Sequence, residues 1–371
     1  MTITVDCRMI NSSGGISVYL RGILPSLLRS PHDFLLLGNS AQLEFYKQYA
    51  NVSIIDCDVK PFSLREQFFF PKKILEKINY STLFYSPYFN IPEGIIIPIY
   101  TTIHDIIFPD MPELVSRTGL AARMWFYRRA YKKSLIIFTV SNFSKSRIEH
   151  HLGTKKPVIV TYCAIQPYFL SYRNNNRNVQ KTETIVFIGN VKKHKGLDCL
   201  LEAFLFAKKE GLPHKLLIIG AKENFRSSDD SILRKTESIK NNEITFSGFI
   251  SDEELLKHLS EAALLVQPSL YEGFGFPPLE ALVLGTQALI SDIPVFKEIY
   301  DGFPVVFFSA GDATDLKNKM MEILYTQKLP SKKTSTTRRS SKRPATSLLS
   351  DELINKYTFE KTVQRILEEF Q

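Results

Sequence analysis

The chain has 371 residues, of which 44% are hydrophobic and 23% are charged, and its formal net charge is +9. These fractions are typical of soluble globular proteins, so they exclude a largely disordered chain, a collagen-like fibre and a membrane-embedded protein. Because one domain usually has about 100 to 200 residues, the length favours two domains.

The basic surplus lies mainly in the first half of the chain. Residues 1–170 hold 19 basic and 12 acidic side chains, whereas residues 171–371 hold 28 and 26. A basic first half suits a negatively charged partner, such as an anionic lipid surface, a lipid-linked phosphate or a nucleic acid. Six of the later basic residues lie in one low-complexity stretch at 331–347. We interpret that stretch as either a solvated loop or a basic patch for phosphates or lipid headgroups.

The sequence predicts a cytoplasmic protein. Residues 1–8 alternate like a strand and lack the basic start and apolar core of a signal peptide. No apolar run reaches the roughly 20 residues of a spanning helix, so any membrane contact is expected to be peripheral. Four widely separated cysteines are interpreted as reduced, buried side chains without metal-ligand spacing: Cys7, Cys57, Cys163 and Cys199. No metal site is predicted.

Short β-branched runs alternate with helical patterns through the first half of the chain. Strands are predicted at 2–7, 34–37, 52–55, 82–85, 99–103 and 135–140, with helices at 16–28 and 120–133. Strands that alternate with helices imply a parallel sheet covered on both faces. Residues 171–182 contain almost nothing to bury and are interpreted as a linker.

The alternation restarts after this linker. Strands are predicted at 184–188, 215–219, 243–246, 264–267, 287–290 and 305–308, with helices at 197–210, 252–262, 278–284 and 358–370. The fold class is therefore predicted to be α/β, with two doubly wound, Rossmann-like domains at 1–170 and 183–350. We expect a terminal helical segment, 351–371, to cross back to the first domain.

Two motifs in the first half lie where predicted strands end, which is where open parallel sheets bind ligands. Gly14 and Gly15 follow the first strand and open a helix, so they either let a ligand approach the backbone or form a tight turn. His104 ends a later strand and is either structural or a hydrogen-bond donor to a hydroxyl or an oxyanion. The adjacent Asp105 is expected to orient its imidazole.

In the second half, the segment Gly189-Asn-Val-Lys-Lys-His-Lys-Gly196 separates a predicted strand from its helix. Positive side chains and the free N–H groups of a helix start are the components of a phosphate site. The alternative interpretation is a solvated, charged turn.

The most specific motif is Ser269-Leu-Tyr-Glu-Gly-Phe-Gly-Phe-Pro-Pro-Leu-Glu-Ala281. Its glycines leave backbone amides accessible, and its two prolines suit the first turn of a helix. Glu272 precedes that helix, and Glu280 is expected within its first turn. Paired carboxylates are suited to binding the neighbouring hydroxyls of a sugar.

The span Glu272-Gly-Phe-Gly-Phe-Pro-Pro-Leu-Glu280 resembles the paired-glutamate signature of the retaining glycosyltransferases of family 4. That family has the GT-B fold, in which two Rossmann-like domains face a central cleft. The other motifs fall in the order that the family shows: Gly14-Gly15, His104-Asp105, the strand end at 140–142, the loop at 189–196, and Phe359-Glu-Lys-Thr362. The resemblance implies a nucleotide-sugar donor held mainly by the second domain, with no separate cofactor.

The resemblance also implies roles for individual residues. The catalytic set is His104 near the reacting carbon of the sugar, Lys195 on the donor diphosphate and Glu272 on the sugar hydroxyls. The implied donor-binding residues are Gly14, Gly15, Lys195, Phe274, Gly275, Phe276 and Glu280, the last of these on the ribose. Many family members carry Arg directly after the glycine that matches Gly189, but this chain has Asn190. Lys192 or Lys193 is expected to supply the missing charge.

The sequence thus predicts a retaining, metal-independent hexosyltransferase of polysaccharide or lipopolysaccharide biosynthesis. Mannose from GDP-mannose is the expected donor, and a lipid-linked glycan or polysaccharide is the expected acceptor. A UDP-hexose donor, a GT-B sugar-nucleotide epimerase and a nucleic-acid-binding protein are alternatives, although no nucleic-acid partner is expected. The helical pattern at 120–133 mixes aromatic and basic residues, so it is either a buried helix or a contact with the anionic inner face of the cytoplasmic membrane.

Overall fold

A computed structural model describes residues 1–12, 14–176, 179–220, 243–326 and 345–370 of the chain. The chain divides into two compact units. The first contains Met1–Gln166 and Tyr357–Gln371, and the second contains Pro167–Lys356. The predicted basic patch at 331–347 lies outside the residues whose side chains are described.

The described residues form β-strands throughout both units. In chain order they are β1 (Thr2–Asp6), β2 (Asp33–Gly38), β3 (Val52–Asp56), β4 (Leu83–Ser86), β5 (Ile99–Thr102), β6 (Ile136–Thr139), β7 (Val158–Val160), β8 (Thr184–Ile188), β9 (Lys215–Ile219), β10 (Ile244–Gly248), β11 (Leu264–Gln267), β12 (Ala288–Ser291) and β13 (Val305–Phe308). Strand β7 was not predicted, because three residues are too short a run to show a pattern.

Helices connect these strands. In chain order they are α1 (Gly15–Leu28), α2 (Ser40–Leu43), α3 (Leu64–Phe68), α4 (Lys72–Asn79), α5 (Ile107–Asp110), α6 (Arg117–Lys133), α7 (Asn142–Leu152), α8 (Pro167–Asn175), α9 (Leu197–Lys209), α10 (Asp252–Glu261), α11 (Phe276–Val283), α12 (Pro294–Tyr300), α13 (Ala313–Thr326), α14 (Ala345–Lys356) and α15 (Phe359–Leu367).

The first unit is built on a parallel sheet in the order β3-β2-β1-β4-β5-β6-β7. Its strand order reverses between β1 and β4, and open α/β sheets generally bind ligands at the carboxyl edge beside such a reversal. Helix α15 packs against α1 within this unit. A Cβ atom at Gly22 would lie 2.0 Å from the Phe359 ring, so the absence of a side chain at Gly22 permits this contact.

The second unit is built on a parallel sheet in the order β10-β9-β8-β11-β12-β13, which reverses between β8 and β11. Apolar residues of α9 cover one face of this sheet, with Leu200, Leu201 and Phe204 fully buried. The predicted α/β class with two doubly wound parallel sheets is confirmed. In both units the loops at the carboxyl edge carry the predicted functional motifs.

The structure differs from the sequence prediction in two segments, at the start of the second unit and at the end of the chain. The predicted linker at 171–182 is wrong for its first five residues, because α8 extends through Asn175. This helix buries Phe169 completely, and its Arg173 pairs with Asp351 of α14 at 2.9 Å. The predicted terminal segment at 351–371 likewise contains two helices, α14 in the second unit and α15 in the first.

Cysteine usage agrees with the prediction of reduced thiols. All four cysteines are free; Cys7, Cys57 and Cys163 are buried, and Cys199 is partly exposed. None of the helices in the described ranges combines the length and apolar character that crossing a bilayer requires.

Candidate functional site

The loops that follow β8 and β11 are held together by their backbones. Strands β8 and β11 are direct neighbours in the sheet, and the N–H of Leu270 donates to the carbonyl of His194 over 2.7 Å. Gly196 lies against this junction with a φ of 67°, and a Cβ atom there would lie 1.9 Å from the carbonyl oxygen of Pro268. Both the backbone conformation and the lack of space therefore exclude any larger residue at position 196.

This backbone junction brings two predicted site residues into contact. Lys195 Nζ donates to Glu272 Oε1 over 2.7 Å. The Ser269 hydroxyl donates to the same oxygen over 2.8 Å, and the Gln267 amide donates to that hydroxyl over 3.1 Å. The side chains of Lys195 and Glu272 are 21% and 10% exposed. A cation and an oriented carboxylate thus lie together, partly shielded from water, at the switch point of the sheet.

His194 does not add charge to this loop. Burial, with a smaller contribution from the neighbouring Lys195, lowers its pKa to about 4. At neutral pH the imidazole is therefore uncharged. Its Nδ1 atom is buried without a hydrogen-bond partner among the described residues. The positive charge of the loop consequently rests on its lysines, of which Lys192 and Lys193 are exposed.

The predicted glycine-rich turn precedes α11. Gly275 has a φ of 89°, and a Cβ atom there would lie 2.3 Å from the ring of Phe296. Phe274 is 3% exposed, and its ring centroid lies 5.7 Å from that of Phe276, the first residue of α11. The turn is therefore tightly packed on one side, and its conformation is fixed before any ligand binds.

A tyrosine from another helix completes the start of α11. The Tyr300 hydroxyl donates to the carbonyl of Gly275 and accepts the N–H of Leu279 over 3.1 Å. It is thereby inserted into the position of the usual backbone hydrogen bond in the first turn of α11. Pro277 and Pro278, the next two residues of the turn, have no N–H to offer. Sequence analysis missed Tyr300, because it lies more than 20 residues after the two residues that it contacts and meets them only in the folded chain.

Glu280 lies on α11 but not where the sequence placed it. It is the fifth residue of the helix rather than part of its first turn. The residue is 8% exposed, and burial raises its pKa to about 8, with a smaller contribution in the same direction from Asp252 of α10. At neutral pH this carboxyl group is mostly protonated and can donate a hydrogen bond to a hydroxyl oxygen.

The remaining predicted site residues belong to the first unit. Gly14 has a φ of 106° and directly precedes α1, which begins at Gly15. Nothing lies within 4 Å of the position that a Cβ atom of Gly14 would occupy. The first turn of α1 contains no acidic residue, so the positive end of the helix dipole is not neutralised locally.

His104 is oriented by a backbone carbonyl. Its Nε2 atom lies 2.8 Å from the carbonyl oxygen of Pro87, and its ring meets that of Tyr19 edge-on at 4.8 Å. Because a carbonyl only accepts, Nε2 carries the proton and Nδ1 is left as an acceptor. Burial lowers the pKa of His104 to about 4, so the ring is neutral. This differs from the prediction that Asp105 orients His104 as a donor, since Asp105 accepts the N–H of Ile107.

Comparisons with known proteins match most of the second unit to one protein family. Residues 170–340 match the family described as glycosyl transferases group 1. The chain is 30% identical to the serotype-specific mannosyltransferase WbdA of Escherichia coli over 144 residues, which cover 38% of this chain and 17% of WbdA. It is 27% identical to O-antigen chain mannosyltransferase B of Escherichia coli over 228 residues, 58% of each protein. The matches thus span less than two thirds of these relatives.

The fold of the whole chain is similar to that of solved glycosyltransferases. A crystal structure of Anabaena Alr3699/HepE, described as a complex with UDP and glucose, superposes with a TM-score of 0.68 at 18% identity. The superposition covers 99% of this chain and 98% of HepE. This agreement confirms the predicted GT-B fold class. Within the described ranges, no cluster of three or more His, Cys, Asp or Glu side chains is arranged to hold a metal ion.

The buried carboxyl group of Glu280 should make stability depend on pH. Its pKa rises from an ordinary 4.5 to about 8 in the folded protein. The folded state therefore binds this proton more tightly, and the resulting contribution to stability is complete below pH 4.5 and lost as the pH rises through about 8. The neutral histidines His104 and His194 act in the opposite direction between about pH 4 and 6.5, because their folded-state pKa values lie below the ordinary 6.5. We therefore expect the free energy of unfolding, measured in urea, to fall between pH 6.5 and about 8, and Glu280→Gln should remove most of that fall.

An exposed glutamate of α10, Glu253, provides the matched control. Glu253→Gln should retain the pH dependence of the unsubstituted protein. Parallel stability profiles for Glu280→Gln and the unsubstituted protein would show that Glu280 does not carry the effect.

Proposed function

We propose that this chain is a hexosyltransferase that uses a nucleotide diphosphate sugar, because residues 170–340 match the family of glycosyl transferases group 1. The contact between Lys195 and Glu272 carries this proposal. It sets a positive charge suited to a diphosphate beside a carboxylate suited to sugar hydroxyls. Both groups follow neighbouring strands at the switch point where open α/β sheets bind ligands.

In this proposal the second unit holds the donor. Lys195 neutralises the diphosphate, and the backbone amides of Phe274, Gly275 and Phe276 lie beside the transferred sugar. Glu272, held in place by Ser269, accepts hydrogen bonds from the sugar hydroxyls. The protonated Glu280 donates a hydrogen bond to the ribose.

The first unit supplies neutral and dipolar groups. The N–H groups at the start of α1, near Gly14 and Gly15, favour the binding of a negatively charged group such as a phosphate. The neutral His104 offers Nδ1 as an acceptor for a sugar hydroxyl near the reacting carbon. This role requires that the imidazole stay unprotonated, which its lowered pKa supports.

The proposed reaction retains the anomeric configuration of the sugar and needs no metal ion. The transition state has oxocarbenium character, and negative charge develops on the departing diphosphate. Lys195 stabilises that charge, which is the role a bound cation would otherwise perform. We assign no side chain as the base; in this proposal the leaving phosphate itself takes the proton of the acceptor hydroxyl on the same face.

We propose mannose from GDP-mannose as the donor and a lipid-linked glycan or lipopolysaccharide as the acceptor. The similarity to WbdA and to O-antigen chain mannosyltransferase B supports mannose as the sugar and a surface polysaccharide as the acceptor. A UDP-hexose is the second candidate, because the sugar-binding side chains do not themselves select the nucleobase.

Removing either charged partner should abolish transfer. Lys195→Ala leaves the diphosphate unneutralised, and Glu272→Ala removes the carboxylate that orients the sugar, so each should reduce kcat/KM by roughly a thousandfold. Ser269→Ala should reduce it by about tenfold, since the carboxylate stays but loses one orienting hydrogen bond. Radiolabelled sugar transfer measures all three.

The control for these variants is Lys209→Ala, which removes an exposed lysine at the end of α9 and should leave transfer unchanged. Circular dichroism and thermal unfolding should show that every variant is folded. Near-normal turnover in Lys195→Ala or Glu272→Ala would refute the assigned roles.

Nucleotide preference can be measured without knowing the acceptor. A ligand at 100 times its dissociation constant stabilises a protein by about 2.7 kcal/mol. We therefore expect GDP to raise the melting temperature more than UDP or ADP at equal concentration. A larger shift with UDP would replace GDP-mannose by a UDP-hexose while leaving the enzyme class intact.

Metal independence has its own test. Transfer should persist after dialysis against a chelator, and the product should retain the anomeric configuration of the donor by NMR. Activity that is lost to the chelator and restored by manganese would contradict the proposed role of Lys195 as the counter-charge.

A further inference from the structure

Helix α3 of the first unit buries two polar side chains and exposes its apolar ones. Glu66 and Gln67 are 0% and 4% exposed, whereas Leu64, Phe68 and Phe69 at its outer face and end are 75%, 65% and 75% exposed. A surface helix of a soluble protein normally shows the opposite arrangement. An exposed apolar face of this kind marks a surface that binds another apolar partner, such as a membrane or a second protein.

The inward face of α3 is fixed by buried polar contacts. Glu66 forms an ion pair with Arg8, which follows β1, and both side chains are at most 2% exposed. Glu66 also accepts from the N–H of Phe62 over 2.6 Å and from the Asn90 amide. Gln67 donates to the Asn90 side chain over 3.1 Å. Because a buried carboxylate must keep its partners, the helix cannot simply rotate to bury its phenylalanines.

The apolar surface continues from α3 to α6. Phe62, held at a φ of 63°, packs against Phe126 with ring centroids 5.3 Å apart. Phe126 in turn packs edge-on against Trp125 at 4.9 Å, and Trp125 is 46% exposed. We call the exposed side chains of Leu64, Phe68, Phe69 and Trp125 the outer aromatic patch.

Basic residues predominate in the segments that carry this patch. Segments 62–77 and 117–133 contain ten basic and only two acidic side chains, and one of those two is the buried Glu66. Seven exposed basic residues lie in these segments: Arg65, Lys72, Lys73, Lys77, Arg117, Arg128 and Lys132. An apolar patch within a basic surface is complementary to a bilayer whose headgroups are anionic.

We propose that the outer aromatic patch inserts into the interface of an anionic lipid bilayer, with the lysines and arginines of segments 62–77 and 117–133 on the headgroups. This surface includes part of the helix predicted to contact a membrane, since α6 contributes Trp125, and it adds the exposed Leu64, Phe68 and Phe69 of the α3 segment. The proposal rests on the first unit alone and does not depend on the reaction that the chain catalyses.

Vesicle binding by the full chain tests the proposal. The unsubstituted protein should sediment with phosphatidylglycerol vesicles at low salt and much less with phosphatidylcholine vesicles. Phe68→Ser combined with Phe69→Ser should reduce the partition coefficient by at least about tenfold, because two exposed phenyl rings no longer enter the interface. Lys72→Glu combined with Lys73→Glu should reduce binding to the anionic vesicles specifically.

Trp125 is the chain's single tryptophan, so its fluorescence reports directly on the patch. Its emission should shift to the blue on phosphatidylglycerol vesicles and be quenched by brominated lipid. Phe45→Ser is the matched control, because Phe45 is 69% exposed and lies between β2 and β3. This variant should bind vesicles normally, and retained melting temperatures should show that all variants are folded.

Three outcomes would overturn the proposal. One is failure of the unsubstituted protein to bind phosphatidylglycerol vesicles. Another is equal binding by the protein with both phenylalanines replaced. The third is a dimer of the unsubstituted protein that dissociates when Phe68 and Phe69 are replaced, since the patch would then be covered by a second copy of this chain.

Discussion

The candidate site depends on the close approach of two backbone segments at the point where the second sheet reverses its order. Gly196 can lie against the carbonyl of Pro268 only because it has no side chain, and the N–H of Leu270 closes the same junction on His194. The contact between Lys195 and Glu272 depends on that junction. Lys195 precedes Gly196 directly, and the carboxylate it contacts lies four residues after Pro268. The two side chains therefore form their ion pair directly, because the backbone junction holds both loops in place.

The architecture and the location of the motifs could be predicted from sequence, since both depend on local patterns. Alternating strands and helices reveal a parallel sheet, and in such a sheet the functional loops share one edge. The local geometry of the site could not be predicted in the same way. Tyr300 enters the first turn of α11 from a separate helix, and Pro87 orients His104 from the end of a neighbouring strand. Neither partner adjoins the group it serves, so no sequence spacing connects them. The state of Glu280 was equally inaccessible, because its raised pKa comes from burial.

The same distinction explains why α3 escaped sequence analysis. Its sequence contains apolar and charged residues in a short run, and such a run says nothing about which face points inward. The inward face is held by Arg8, a side chain 58 positions earlier that pairs with both Asp6 and Glu66. With Glu66 held in this buried network, the apolar side chains of α3 lie on the outside. Contacts between residues far apart in the sequence thus decide which face of this short helix is exposed.

The pairing of Lys195 with Glu272 also bears on selectivity. Before any ligand arrives, the two opposite charges already compensate each other, and the hydroxyl of Ser269 adds a further contact to the carboxylate. An inorganic phosphate that bound Lys195 would leave the negative charge of Glu272 unpaired at a largely buried position. A free monosaccharide would offer no negative charge to Lys195. Under the proposed function, a molecule that presents both an anion and hydroxyl groups, at the right separation, replaces what each partner gives up. The resting pair would then favour an intact nucleotide sugar over inorganic phosphate or a free monosaccharide.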